Sequence, residues 1–124
     1  MLLETKYFRS EMDGNVIKVQ YKPNLHITLE DAERIVHQRL SHYRDIEAPV
    51  LIQNAKIMRI EKSAREYLFD QERGMKNVKA VAIVYSNVVN RLLATFLFHR
   101  HTPLVPHRMF TDEQKAMSWL QKYV

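Results

Sequence analysis

The sequence predicts one α/β domain over residues 1–124: a mixed sheet in the order ββαβαβαβα with helices packed against it. Three observations carry this expectation. Asp13-Gly14 separates two strand-like arms, and glycine admits the positive φ of a tight hairpin. Residues 50–52 and, apart from Lys79, 78–85 are apolar without alternation, as in strands covered on both faces. Each of these runs is followed by apolar residues at helical spacing, which makes repeated βα units. At 124 residues, with 46% hydrophobic and 27% charged content, the chain has the composition of a single-core globular domain.

Residues 3–12 and 16–21 form the expected hairpin. In the second arm Ile17, Val19 and Tyr21 alternate with Lys18 and Gln20, the period of a half-buried strand, whereas the first arm alternates poorly and is assigned to a sheet edge. Pro23-Asn24 breaks the strand. Thr28 is the expected N-cap of the first helix, with Glu30, Asp31 and Glu33 facing the positive end of its dipole. Leu29, Ala32, Ile35, Val36, Leu40 and Tyr43 form its inward stripe. A second helix is expected over residues 62–73, burying Ala64, Tyr67 and Leu68 and ending at Gly74. After the 78–85 strand, Ser86 or Asn87 caps a helix running to about residue 100. A short strand over 108–110 then leads through a Thr111–Gln114 capping box to a last helix, with Ala116, Met117, Leu120 and Val124 inward and Trp119 partly covered.

Composition excludes several chemistries. With no cysteine there are no disulfides, thiolate metal sites or thiol nucleophiles. Only Gly14 and Gly74 are glycine, and there is no P-loop, G-x-G-x-x-G or G-x-S-x-G, so no cofactor and no catalytic residue is expected. His99, His101 and His107 are the metal candidates, but H-x-H on a helix places the first two about 200° apart. No metal is therefore expected. The net charge is +5, yet the basic residues are interspersed with fourteen acids and form no long run, which disfavours nucleic acid as a partner. The opening becomes charged within four residues, unlike a secretory leader. The longest apolar-rich stretch, 88–98, falls short of the about 20 residues a bilayer span needs. A cytoplasmic protein with no transmembrane segment is expected.

The segment Ile60-Glu61-Lys62-Ser63-Ala64 follows the 50–52 strand through a short loop and opens the second helix. Together with the element order it resembles the STAS domain of anti-sigma-factor antagonists and sulfate transporters, whose signature at this place is D-S-S-G. Ser63 falls on the phosphorylatable serine and Glu61 on the acid, while Lys62 and Ala64 depart from the signature. The C-terminal half is similar to small stand-alone SpoIIAA-like bacterial proteins of unknown function. Ala64-Arg65-Glu66-Tyr67-Leu68, Lys79-Ala80-Val81-Ala82 and Arg108-Met109-Phe110-Thr111-Asp112-Glu113 carry that resemblance. It implies a non-enzymatic regulatory or scaffold module. Ser63 is then a phosphosite flanked by Glu61, Lys62 and Arg65, or alternatively a helix cap.

Val88, Val89, Leu92, Leu93, Phe96 and Leu97 make the 87–100 helix apolar around much of its circumference. One side suffices to cover a sheet, so the remainder is assigned to a homodimer interface or to a small apolar, lipid-like ligand.

Overall fold

The computed structural model describes residues 2–53, 59–85 and 104–124. Its hairpin consists of β2 (Phe8–Asp13) and β3 (Val16–Tyr21), paired from Phe8↔Tyr21 to Asp13↔Val16. Gly14 holds φ 61° while Asn15 stays out of the positive region, the pattern of a II′ turn. The first arm is not one strand. β1 (Leu3–Glu4) folds back antiparallel onto β2 as an edge strand, because the Thr5 hydroxyl accepts the Tyr7 and Phe8 N–H groups and turns the chain.

Two dipeptide strands were not expected: β4 (His26–Ile27) before α1 (Leu29–Tyr43), and β6 (Arg59–Ile60) before α2 (Lys62–Phe69). The remaining elements are β5 (Ala48–Ile52), β7 (Val78–Val84), β8 (His107–Phe110) and α3 (Glu113–Leu120), with a 3-10 turn at Gln121–Tyr123. The main sheet has the order β1-β2-β3-β5-β7-β8, antiparallel through the hairpin and parallel from β3 onward.

Both faces of the parallel half are buried, as the apolar runs of β5 and of β7 beyond Lys79 require. On one face Ile17, Val19, Val50, Val81 and Ile83 pack with Ile35 of α1 and Ala64 of α2. On the other, Val16, Leu51, Ala80, Ala82 and Val84 pack with Ala116 and Leu120 of α3. Alternation breaks once. Ala48 pairs with Val78 but Val50 with Val81, so β7 carries one extra residue opposite Pro49. Proline offers no ladder N–H, and a central strand accommodates it at such a bulge.

Four details differ from expectation. Leu29 is 40% exposed and Val124 48%, because each lies at a helix or chain end beyond the stripe that meets the sheet. Asp112, not Thr111, caps α3, its carboxylate accepting the Gln114 N–H at 2.8 Å. α2 ends at Phe69, where Asp70 turns extended. Gly74 then donates its N–H to the Tyr67 carbonyl at 3.1 Å, and a Cβ there would stand 1.8 Å from the Leu68 oxygen. It is glycine for close approach rather than as a continuous-helix stop.

Polar groups fasten the layers. The Ser10 hydroxyl, 2% exposed, meets the Tyr43 hydroxyl of α1 at 2.7 Å. Lys18 lies between Asp13 (2.8 Å) and Glu113 (3.2 Å), and Gln53 donates to Glu113 at 2.7 Å, tying the start of α3 to β3 and β5.

α1 closes with strain. Arg44 sits at φ 50°, ψ −116°, and the Ile46 N–H bonds back to the Tyr43 carbonyl. A glycine reaches this conformation without a Cβ penalty. Relief of about 1–3 kcal/mol of strain exceeds the about 0.4–1 kcal/mol of unfolded-chain entropy that glycine adds. Arg44→Gly is therefore expected to raise stability by about 1 kcal/mol, read as a higher urea midpoint at unchanged slope. A lower midpoint would contradict the assignment.

Candidate functional site at the paired helix starts

β4 and β6 form a two-residue parallel ladder, with His26 opposite Arg59 and Ile27 opposite Ile60. The Arg59 N–H donates to the Leu25 carbonyl at 2.9 Å and the Glu61 N–H to the Ile27 carbonyl at 3.0 Å. Ile27, 1% exposed, pins the ladder to the core. Each strand runs directly into a helix, so the N-terminal ends of α1 and α2 lie side by side.

The two ends are finished differently. At α1 the Thr28 hydroxyl accepts the Asp31 N–H (3.2 Å), and the Asp31 carboxylate accepts the Thr28 N–H (3.0 Å), a closed capping box. Tyr7 adds its hydroxyl to Asp31 at 2.7 Å. At α2 the N-cap residue is Glu61, and its side chain makes no cap bond. Its carboxylate instead accepts from His26 Nε2 at 3.0 Å, across the ladder, with both side chains about half exposed. The first turn of α2 holds no acid. Arg65 donates to the Ile60 carbonyl at 2.7 Å, and Lys62 stands 4.0 Å from Glu66. An anionic group at this end would meet helix N–H groups and Lys62, with the Glu61 carboxylate at the cap held by His26.

Ala64, fully buried, anchors the turn, and Ser63 beside it is exposed. Ser63 is the second helical residue. The cap position is Glu61's, because the extended backbone of β6 continues through it (φ −66°, ψ 153°). The structure thus gathers Glu61, Lys62, Ser63 and Arg65 on one turn. Val88, Val89, Leu92, Leu93, Phe96 and Leu97 lie outside the described residues, as do His99 and His101. His107 donates Nδ1–H to the Val105 carbonyl at 3.1 Å. His26 is the residue that sequence reasoning missed. It is 35 positions from Glu61, and only the β4–β6 register brings them together.

The family model described as "Domain of unknown function (DUF7793)" matches residues 10–124. The chain belongs to this family. The DUF7793 chain is also similar to the crystal structure of an uncharacterized protein from the DUF3478 family with a SpoIIAA-like fold, from Shewanella loihica PV-4. The TM-score is 0.59 at 18% identity, covering 91% of each chain. The fold is therefore SpoIIAA-like, as the resemblance drawn from the sequence implied. No curated protein matches the chain. Among the described residues no helix is long and apolar enough to cross a membrane.

The capping box makes a pH prediction for this DUF7793 chain. Hydrogen bonds to the carboxylate, first from the Thr28 backbone and then from Tyr7, hold Asp31 at about 2 against an ordinary 3.8. A depressed carboxyl contributes stability that is present above its unfolded value and lost as pH falls through the folded one. Urea midpoints of the parent are expected to fall between about pH 4 and about pH 2 more steeply than those of Asp31→Asn. Parallel curves would remove Asp31 as the acid-sensitive group.

Proposed function

We propose that this chain is a non-enzymatic, cytoplasmic regulatory or scaffold module that works by binding proteins, itself included. The observation that carries the reading is the exposed Ser63 on the first turn of α2, a helix whose cap carboxylate is turned away to His26. Binding is favoured over chemistry because the polar groups at this end are engaged with one another. Thr28 holds Asp31, Glu61 holds His26, and Arg65 holds a backbone carbonyl. A phosphate on Ser63 would gain the helix end and Lys62, at the cost of nearby Glu61. The SpoIIAA-like fold fits such a module. Self-association is assigned to the apolar face of Val88, Leu92 and Phe96.

One native preparation tests both parts. Light scattering is expected to give a dimer mass, with Phe96→Glu a folded monomer, and phosphopeptide mapping is expected to find phosphate on Ser63. A parent that is monomeric at every concentration removes the self partner. If it also carries a co-purifying lipid in native mass spectrometry, the apolar face belongs to a ligand carrier instead. An unmodified Ser63, with partner binding unchanged in Ser63→Asp, removes the switch.

A further inference from the structure

Arg39 stands apart from the other cations of the core. It lies on the third turn of α1, between the buried Val36 and Tyr43, and is itself partly buried. Its Nη2 donates to the Gly74 carbonyl at 3.1 Å, which places the guanidinium where α1 meets the connector after α2. That neutral carbonyl is its one hydrogen-bond partner among the described residues. All fourteen Asp and Glu residues lie among the described residues, and none pairs with it. Charges sunk into protein ordinarily have a counter-charge, because desolvation is costly without one. Here burial pulls the Arg39 guanidinium below its ordinary value, opposed by the Tyr21 phenol, itself pushed up by burial.

A guanidinium has five N–H donors, and one is spent on Gly74. Nε and Nη1 are not sealed in. Among the described residues the buried side-chain polar atom without a partner is Gln38 Oε1, and no nitrogen of Arg39 shares that state. The group therefore combines a desolvated charge with solvent-reachable donors in a planar fork. That is the geometry that takes two oxygens of a carboxylate or phosphate side by side.

We propose that Arg39 is an anion-binding residue, with its guanidinium fork, seated on the Gly74 carbonyl, receiving the oxyanion of a carboxylate or phosphate group. The proposal is independent of Ser63 and of dimer formation.

Thermal melts at constant ionic strength, with chloride exchanged for inorganic phosphate or for acetate, test it. At ten times Kd, linkage predicts a rise of about 5 °C in the parent for the anion that binds. Arg39→Gln is expected to lose the rise, and Arg39→Lys, which keeps the charge but not the fork, to retain a smaller one. A rise from phosphate alone names a phosphate ligand, and one from acetate alone a carboxylate. An equal rise in parent and Arg39→Gln, or none in the parent, overturns the proposal. Should Arg39→Gln fail to fold, the Arg39 Nε–H resonance of the parent replaces it. The resonance is expected to shift saturably with phosphate or acetate, and an unmoved resonance overturns the proposal equally.

Discussion

The backbone hydrogen bonds from Arg59 to Leu25 and from Glu61 to Ile27 decide where both helices begin. β4 and β6 are only two residues long, yet their parallel register levels Thr28 with Glu61. That coincidence lets Glu61 reach His26, leaves α2 without a side-chain cap, and turns Ser63 outward on the adjacent turn. A slip of one residue would exchange the faces of Ile60 and Glu61 and dismantle the arrangement. The contrast with α1 is electrostatic as well as geometric. One helix end is filled by its own aspartate, and the other has no side-chain cap bond and no acid in its first turn.

The ladder is held in place by the sheet beneath it. β5 is apolar on both sides, with Val50 toward α1 and α2 and Leu51 toward α3, so neither face can be left to water. Ile27 reaches down into the first of these clusters. Pro49 is accommodated by the bulge in β7, where the β5–β7 register shifts by one residue, while β3 pairs evenly with β5 from Val50 to Ile52. The C-terminal helix is secured through Lys18, Asp13, Gln53 and Glu113, a network joining the hairpin to the last element of the chain. These contacts explain how a chain with two glycines and no cysteine fixes several short elements: side chains and backbone bonds across the sheet do the positioning.

Much of this was legible in the sequence because the signals are local. Asp13-Gly14 announces a turn, Thr28 with its following acids announces a helix start, and residues 78–84 announce a strand buried on both sides. The losses share a physical cause. A two-residue strand has no period to detect, so β4 and β6 left no trace. His26 and Glu61 are joined only by tertiary register. Thr111 and Asp112 are both good caps, and the choice between them follows from Glu113 meeting Lys18 and Gln53. The helix after residue 62 stops early because Gly74 packs on its last carbonyls, which no spacing rule anticipates. Ser63 was found by resemblance, but its place as second helical residue rather than cap depends on how far β6 extends.

The two helix starts form one unit because β4 and β6 are paired. Native-state hydrogen exchange of the Arg59 and Glu61 amides tests this directly. Both are bonded to carbonyls of the β4 segment, so both are expected to exchange far more slowly than the exposed amides of Lys62 and Ser63, and to quicken together when Ile27→Ala loosens the ladder. Exchange of Arg59 and Glu61 at the rates of an unstructured chain would mean that α2 begins independently of α1, and the shared site would not exist.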